Sequence, residues 1–385
     1  MARFERIVTL QQPRTLAFGA GCAAECAGDI ARRGLRSGLV VTSPATRALC
    51  QPVVEALQQH IATVAIWDGI TAEPTLADFR AGLAIAREMR ADAVFGIGGG
   101  SALDVAKLLA ALVDGQQDII ETFGIGKLAR RNAYLACLPT TAGTGSEVSP
   151  NAILLDESQQ LKRGVISPFL VPDAAYVDPA LTLTVPPAVT GATGMDALTH
   201  CIEAYANKLA HPMIDTLAIE GIRRISGNLR RAFQGGTDLA ARTEVALGSM
   251  YGGICLGPVN TGAVHALSYP LGGEFHVPHG VANSVLLCPV IEFNLPAAAD
   301  RYADIAIALG ADRGPDDLST GRNGLTLLRQ LAIDVGIPPS MKSLGIPEAA
   351  IDRMADSAMT ITRLLDRNVR PVTRDDAIMI YRSAM

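Results

Sequence analysis

The pattern of apolar and polar positions along the chain changes near residue 185. Before it, short apolar runs alternate with segments in which apolar residues recur every three or four positions. Such runs are typical of buried parallel strands, and such recurring positions are typical of helices. The predicted strands are 38–42, 62–67, 93–97 and 134–138, and the predicted helices between and after them are 45–59, 75–89 and 102–112.

After residue 186 the strand signals end, and long helical patterns follow, such as 215–233 and 238–255. Strands that alternate with helices favour right-handed crossovers and a mostly parallel sheet. The sequence therefore predicts an α/β amino-terminal domain over residues 1–185, with a mostly parallel sheet, and an all-α carboxy-terminal domain over residues 186–385.

Four side chains of the second half have the spacing of a metal site. Asp196 and His200 are four residues apart, so both project from one face of a helix. His265 would join them from a second helix, and His279 from a loop, because a proline and a glycine flank it. One carboxylate and three imidazoles suit Fe²⁺ or Zn²⁺ better than Mg²⁺ or Ca²⁺. Each residue alone is also compatible with a capping or core role, but three of the chain's six histidines fall into this set.

A glycine-rich turn, Gly98, Gly99 and Gly100, follows the predicted strand 93–97, and Ser101 is the predicted N-cap of the next helix. A strand, a glycine turn and a helix N-terminus together form an anion site. Backbone N–H groups and the helix dipole meet a phosphate there, and the missing side chains let it approach. The spacing differs from the usual G-x-G-x-x-G, and a tight turn without a ligand would use the same residues.

A third string, LPTTAGTGSEVSPNAI at 138–153, places hydroxyl side chains among glycines. The hydroxyl residues are Thr140, Thr141, Thr144 and Ser146. Hydroxyls and open backbone can hydrogen-bond a sugar or a diphosphate. A polar loop that satisfies its own turns would have the same composition, and the string alone does not decide between them.

Together these strings resemble the iron-containing (group III) alcohol dehydrogenase family, which shares its fold with dehydroquinate synthase and glycerol dehydrogenase. GGGSALDVAK, which includes Asp104, is similar to the family's phosphate-binding motif, and PTTAGTGSE to its nicotinamide-side loop. The Asp and His spacing is similar to its metal site, and the likeness extends to NVRPVTRDDAI at 368–378. The resemblance implies a Rossmann-like sheet, a dehydroquinate synthase-like all-α domain and a homodimer or higher homo-oligomer.

The resemblance also implies a metal-dependent oxidoreductase that transfers a hydride between NAD or NADP and a small alcohol, aldehyde or ketone. The metal would polarise the substrate oxygen, and the nicotinamide would carry the hydride. Because ligands of parallel sheets bind beyond the carboxyl ends of the strands, we expect the active site in the cleft between the domains. Asn151 is expected to orient the nicotinamide or the substrate. Lys162 matches a family lysine near the cofactor, and a solvated surface lysine is the alternative.

Two departures from the family pattern bear on the mechanism. Many relatives have a further histidine four residues after the one matched by His265, which is thought to relay a proton. Tyr269 stands there, so a relay would use its hydroxyl, another group or water. His276 is an alternative relay, although a loop histidine more often lines a pocket or faces solvent. We expect the substrate pocket along 256–260 and in the loop around Tyr269.

The second departure concerns the choice of dinucleotide. Many NAD-preferring relatives have an Asp where Ser43 follows the strand 38–42, and its carboxylate repels a 2′-phosphate. Without it NADP is permitted, and Arg47 could pair with the phosphate. Glu73 replaces a family Asn in a neighbouring loop and would discourage a phosphate. Taken together, these residues favour NAD as the cofactor, with use of both NAD and NADP as the alternative.

Two other reactions are known on related folds. A lyase like dehydroquinate synthase would need Lys and Arg in the cleft, and the strings GATGMDALTH and HALSYPLGGEF contain none. A maleylacetate reductase works without a metal, and the complete set of one Asp and three His argues against it. A protein with only a binding or structural role would not need a set of metal ligands together with dinucleotide-binding motifs. The sequence therefore favours an alcohol dehydrogenase that acts on a small alcohol or carbonyl substrate.

Composition adds limits on partners and location. A chain of 385 residues is long enough for two domains, and a net charge of −5 gives no reason to expect nucleic acid. The chain has no unbroken run of eighteen apolar residues, so we expect no membrane span. Seven scattered cysteines without paired spacing predict free thiols and a cytoplasmic protein.

Overall fold

Six parallel strands form the main sheet. The computed structural model describes residues 5–159 and 161–385. The strands of the described residues are β1 (Thr15–Phe18), β2 (Ser37–Val41), β3 (Thr63–Trp67), β4 (Ala93–Gly98), β5 (Gly124–Ile125), β6 (Tyr134–Pro139), β7 (Asn151–Asp156), β8 (Leu161–Ile166) and β9 (Ala174–Val177). The main sheet has the order β1-β9-β6-β4-β2-β3. A smaller sheet has the order β5-β8-β7, with β5 parallel and β7 antiparallel to β8.

Strand β2 shows why the central strands have continuous apolar runs. All five of its residues are buried. Side chains alternate along a strand, so Leu39 and Val41 enter one core cluster and Val40 the other. Each cluster also contains helix residues, such as Phe79 on one face and Val54 on the other. A sheet covered on both faces has no polar face, which is the reason for the unbroken apolar strings.

Five α-helices lie within the described residues of the first part of the chain. They are α1 (Glu25–Ile30), α2 (Arg47–Gln58), α3 (Leu76–Glu88), α4 (Gly100–Leu112) and α5 (Ile119–Thr122). The predicted strands and helices of this part agree with β2, β3, β4, β6 and α2 to α4 to within about two residues. The prediction missed β1, β9 and the small sheet, whose strands are short or carry polar residues.

The regular elements of the second part are helices. They are α6 (Pro187–Tyr205), α7 (Pro212–Gln234), α8 (Leu239–Leu256), α9 (Ala263–Phe275), α10 (His279–Asn294), α11 (Ala299–Ala308), α12 (Asp317–Asp334), α13 (Ile351–Met359), α14 (Thr362–Leu365) and α15 (Arg374–Ser383). The fold class is confirmed: a mostly parallel α/β part is followed by a helical part. Two local expectations were wrong, because His279 begins α10 and Tyr269 lies within α9, and neither is in a loop.

The described chain divides into two compact units. One comprises Gln11–Thr184, and the other comprises Val185–Met385 together with the described residues up to Leu10. The amino-terminal segment thus belongs to the helical unit, where Arg6 donates hydrogen bonds to the carbonyl oxygens of Pro258 and Leu209.

One segment of the described chain, His279–Ala297, has the length and composition of a membrane span, with a mean hydropathy of 1.2. However, 67% of the segment is buried inside the protein, as is typical of a core helix.

Candidate metal centre and dinucleotide site

Three of the predicted metal ligands converge in the helical unit. Asp196 comes from α6, His265 from α9 and His279 from the first position of α10. The Oδ1 atom of Asp196 lies 3.7 Å from Nε2 of His265 and 3.7 Å from Nε2 of His279. Their possible ligand atoms all lie within 4.8 Å of one another. The Asp196 and His265 side chains are buried, whereas that of His279 is 27% exposed, so the cluster is open on the His279 side.

His200 lies beside this cluster. It is one turn after Asp196 on α6, and its ring stacks on that of His265 with centroids 4.7 Å apart. The set of ligand atoms within 4.8 Å comprises the other three residues, so the structure brings three predicted ligands together and places the fourth against them. A role for His200 as the fourth ligand stays a prediction.

Asn283, which the sequence reasoning missed, occupies the centre of the cluster. Its Nδ2 atom lies 2.6 Å from Oδ1 of Asp196, 3.1 Å from Nε2 of His265 and 3.2 Å from Nε2 of His279. Asn283 is fully buried on α10, one turn after His279. The three electron-pair donors lie close enough together to share one ligand, and a carboxylate with two imidazole nitrogens suits a divalent first-row metal. The side chains present therefore fit the ion that the sequence predicts.

Glu203 orients His265 within the cluster. Its Oε2 atom lies 2.6 Å from Nδ1 of His265, and its Oε1 atom accepts a hydrogen bond of 2.7 Å from the backbone N–H of Val264. Since a carboxylate only accepts, Nδ1 carries the proton and Nε2 presents its lone pair to the cluster. The sequence reasoning missed Glu203, although its position seven residues after Asp196 places it on the same face of α6.

The Asp196 carboxylate is held in its ionised form. Burial by itself raises the pKa of Asp196, but neighbouring groups outweigh it and lower that pKa to about 2. These groups are, in decreasing order, His200, His279, His265 and the amide of Asn283. The carboxylate is therefore charged at neutral pH, as a ligand of a divalent cation needs to be.

In the other unit, β4 leads into the glycine turn. The strand ends at Gly98, Gly99 has extended backbone with φ −73° and ψ 179°, and α4 begins at Gly100. Gly99 is therefore the N-cap, and the prediction of Ser101 at that position was wrong. Because glycine has no side chain to accept from the first N–H groups of α4, these donors face outward at the positive end of the helix. This geometry suits a phosphate.

The three glycines differ in what an added side chain would contact at their positions. A Cβ atom at Gly98 would lie 2.7 Å from Cβ of Ala102, and one at Gly100 would lie 2.5 Å from Cγ2 of Thr144. Packing of the protein alone excludes a side chain at these positions. A Cβ atom at Gly99 would meet its nearest neighbour, the Thr141 hydroxyl, at 3.4 Å. Gly99 is therefore not required by packing, and its bare surface leaves room for a ligand.

Two polar side chains of the threonine loop and its following strand lack partners among the described residues. Thr140 is fully buried and its Oγ1 atom has no hydrogen-bond partner there, nor has the buried Oδ1 atom of Asn151. A buried polar atom without a partner costs about 1–3 kcal/mol. Such atoms are typical of a site that a ligand completes. By contrast, Thr144 Oγ1 already accepts a hydrogen bond from the Ser146 N–H, at 3.2 Å.

Beneath this loop, α4 contributes a buried charged pair. Lys107, which the sequence reasoning missed, donates to the carbonyl oxygens of Ser146 at 2.6 Å and Asn151 at 2.7 Å. Asp104 accepts from Oγ of Ser146 at 2.5 Å and from the N–H of Ile153 at 2.9 Å. Burial lowers the pKa of Lys107 and raises that of Asp104, and each charge partly offsets the other's shift. Asp104 and Ser146 are thus hydrogen-bonded to each other, and this contact holds the threonine loop against α4.

Two further residues of this unit, Lys162 in β8 and Ser43 after β2, were predicted to lie near the cofactor. The Lys162 side chain is 2% exposed and its Nζ atom lies 2.7 Å from Oε1 of Glu73, so a solvated surface lysine is excluded. The Glu73 charge is paired with this cation, which weakens the argument that it repels a phosphate. Ser43 follows β2 and its hydroxyl bonds to Thr46 at 2.8 Å, while Arg47 pairs with Asp68 at 2.8 Å.

The two candidate proton relays differ in surroundings. Tyr269 is buried, and its ring centroid lies 6.5 Å from that of His279. Its hydroxyl accepts a long hydrogen bond of 3.5 Å from Arg363. His276 is exposed at the C-cap of α9 with φ 55°. Tyr269 is therefore the candidate that is near the metal cluster.

Comparison with known proteins bears on both units. The family described as iron-containing alcohol dehydrogenase matches residues 13–179, and its C-terminal counterpart matches residues 190–385. Long-chain-alcohol dehydrogenase 1 of Geobacillus thermodenitrificans is 38% identical over 95% of this chain and 94% of that protein.

Two solved structures are also similar. A 1,3-propanediol oxidoreductase superposes with a TM-score of 0.95 at 33% identity, covering 99% of this chain and all of that one. A sulfoacetaldehyde reductase from Bifidobacterium kashiwanohense, in complex with NAD⁺, has a TM-score of 0.88 at 27% identity, covering 98% of this chain and 99% of that one. The match of both halves to one family, over nearly the whole length of its members, confirms the resemblance read from the motifs: this chain is an oxidoreductase that belongs to the iron-containing alcohol dehydrogenase family.

Proposed function

We propose that this protein catalyses the reversible oxidation of a small alcohol to an aldehyde or ketone, with NAD or NADP and a divalent metal, Fe²⁺ or Zn²⁺. The observation that carries this proposal is the convergence of Asp196, His265 and His279, whose possible ligand atoms all lie within 4.8 Å of one another. When bound, the metal would act as a Lewis acid on the substrate oxygen.

The helical unit supplies the groups that hold the ion and handle the proton. Asp196 contributes the charge, and Glu203 holds His265 in the tautomer that can bind. We assign His200 as a further ligand and Asn283 as a group that hydrogen-bonds the Asp196 carboxylate. Tyr269 is the candidate to pass the alcohol proton outward through its hydroxyl.

The α/β unit supplies the dinucleotide site. Gly98, Gly99, Gly100 and Ser101 would meet the diphosphate with backbone N–H groups. Around the nicotinamide we place Thr140, Thr141, Thr144 and Asn151, and Lys162 with its partner Glu73 nearby. Asp104, Lys107 and Ser146 would act by holding the loop in place. We place Ser43 beside the adenosine ribose. On this proposal the unit Gln11–Thr184 would be the dinucleotide-binding domain and the helical unit the metal-binding domain.

We further propose a cytoplasmic enzyme that forms a homodimer or higher homo-oligomer and binds neither nucleic acid nor membrane. Seven free cysteines, six of them buried, support a reducing compartment. The named activities of relatives, such as 1,3-propanediol dehydrogenase and lactaldehyde reductase, support short alcohols and aldehydes as substrates.

The test is a panel of diols, hydroxy acids and short aldehydes, assayed with NAD and with NADP by absorbance of the reduced cofactor. The enzyme would first be stripped with a chelator and then loaded with Fe²⁺ or Zn²⁺. We expect turnover that disappears with the chelator and returns with the metal. Full activity of the stripped, metal-free enzyme would contradict the proposal.

A further inference from the structure

Three arginines lie near one another in the helical unit: Arg6, and the pair Arg363 and Arg367, which are four residues apart in the sequence. Arg6 donates to the carbonyl oxygens of Pro258 at 3.1 Å and Leu209 at 2.5 Å. The backbone N–H of Lys208, next to Leu209, donates to the carbonyl oxygen of Arg367 at 2.9 Å. Arg363 is one turn before Arg367 and reaches the hydroxyl of Tyr269. The charge of Arg367 also interacts with those of Arg6 and Arg363, so the three side chains are neighbours, and we call Arg6, Arg363 and Arg367 the arginine cluster.

The positive charges of the arginine cluster are poorly compensated. None of the three forms an ion pair within 4.0 Å with a carboxylate of the described residues, whereas Arg301 and Arg353 of the same unit do. All three are half-buried. Burial lowers the pKa of Arg367 and of Arg6, and a neighbouring arginine lowers each further. Asp366 offsets the effect on Arg367 only in part. Half-buried like charges without counter-charges are costly unless an anion joins them.

The arginine cluster is close to the metal ligands. Arg363 contacts Tyr269, and the Tyr269 ring lies 6.5 Å from the ring of His279, the partly exposed ligand. Arg6 contacts Pro258, within the segment 256–260 that the sequence assigned to the substrate pocket. Cations thus lie at both segments expected to line that pocket.

We propose that the substrate carries an oxyanion group at the far end of its carbon chain, and that Arg363, with Arg367, binds this group while the hydroxyl or carbonyl end lies at the metal cluster. This inference rests on the proposed function. The reaction removes a hydride from the carbinol carbon to NAD(P)⁺ and a proton from its hydroxyl, which gives the carbonyl compound and NAD(P)H. The oxyanion group is unchanged. A guanidinium suits carboxylate, sulfonate and phosphate alike, because its N–H donors form paired, charge-assisted hydrogen bonds.

The experiment compares substrates of matched length in the metal-loaded enzyme: 4-hydroxybutyrate, 3-hydroxypropanesulfonate and 3-hydroxypropyl phosphate against the neutral 1,4-butanediol. The quantity measured is the ratio of kcat/KM for each anion to that for the diol. We expect at least one anion to be preferred, and Arg363→Met to lower its ratio by about ten- to hundredfold, chiefly through KM. The preferred anion identifies which oxyanion the cluster binds. Arg363→Lys, which keeps the charge but not the planar donors, should retain part of the preference.

Arg353→Met is the matched control. Arg353 lies in the same unit but is half-exposed and paired with Glu274, so its loss should leave the ratio unchanged. Turnover of the diol with no anion preferred, or equal ratios in wild type and Arg363→Met, would overturn the inference and leave the proposed function intact. No turnover of any alcohol by the metal-loaded enzyme would instead overturn the proposed function.

Discussion

Glu203 and His265 are joined by a 2.6 Å hydrogen bond between Oε2 and Nδ1, and this contact sets which imidazole nitrogen is available to a metal. With Nδ1 protonated toward the carboxylate, Nε2 faces Asp196. The same carboxylate accepts from the N–H of Val264 at the start of α9. One buried side chain thus fixes both the tautomer of a ligand and the position of the helix that carries it.

Glu203→Gln should lower metal affinity by about ten- to a hundredfold. The amide keeps an acceptor for Val264, but it can donate to Nδ1 of His265 and so favours the tautomer whose Nε2 is protonated. The measurement is competitive titration of Zn²⁺ against a chelator, with thermal denaturation as the check on folding. Glu244→Gln, on α8, is the control, because Glu244 is partly exposed and pairs with Arg224 and not with a metal ligand. An affinity equal to that of the wild type would rule out the orienting role.

His279→Ala and His265→Ala should both abolish turnover and weaken metal binding, but they should differ in stability. His279 is partly exposed, so its removal should leave the fold intact. Removal of His265 leaves an oxygen of the buried Glu203 carboxylate without its hydrogen-bond donor, which costs about 1–3 kcal/mol. Metal analysis and urea denaturation of both variants test this. Near-normal metal content and activity in either variant would refute the site.

Gly99→Val should block NAD binding without unfolding the protein. The protein itself leaves room for a Cβ atom at this position, and its φ of −73° is open to any residue, so the loss would come from the branched side chain in the path of the diphosphate. Gly100→Ala is the contrasting variant, because its Cβ atom would press on Thr144 at 2.5 Å. Calorimetric titration with NAD and thermal denaturation separate the two effects. Unchanged NAD affinity in Gly99→Val would mean that this turn is only structural.

The sequence predicted the central strands and the long helices because burial on both faces leaves continuous apolar runs, as in β2. It missed β7 and β8 because strands that carry Asn, Asp, Lys and Arg lack that signal. The motif spacing predicted Asp196, His265 and His279 as metal ligands, and the structure brings these three together.

What the sequence could not supply were the contacts between distant residues. Glu203, Asn283 and Lys107 are ordinary helix residues by local pattern, and their roles follow only from packing that brings α6, α9 and α10 together, or α4 against the threonine loop. Arg363 lies 94 residues from Tyr269 in the chain, so the absence of basic residues near the metal motifs concealed a cation close to them.

Lys107→Met should destabilise the α/β unit by about 3–5 kcal/mol, because it leaves the buried Asp104 carboxylate without its counter-charge and two carbonyl oxygens without a donor. The double variant Lys107→Met, Asp104→Asn should recover part of this loss, since it removes both charges. Urea denaturation gives the free energies of unfolding. A loss below about 1 kcal/mol in the single variant would show that the pair does not hold the loop.

Ser43 follows β2, at the carboxyl ends of the parallel strands, where a doubly wound sheet binds its ligands. Arg47 is close enough in sequence to reach a 2′-phosphate, but it pairs with Asp68. Both partners are partly exposed, and such a pair contributes only about 0–1 kcal/mol, so a phosphate can displace Asp68. We therefore expect no strong electrostatic repulsion of the NADP 2′-phosphate in the wild-type protein.

Ser43→Asp should select against NADP, because repulsion between the new carboxylate and the 2′-phosphate is about 1–3 kcal/mol in a partly buried site, or roughly ten- to hundredfold in the preference ratio. NAD use should hold steady or improve, since the carboxylate can accept from both ribose hydroxyls. The control is Ser43→Asn, whose side chain has the size of Asp without its charge. It should change the NADP-to-NAD ratio of kcat/KM little. The measurement is kcat/KM for NADP and for NAD in the three proteins. If Ser43→Asp leaves this ratio where it is in the wild type, the adenosine ribose does not lie beside residue 43.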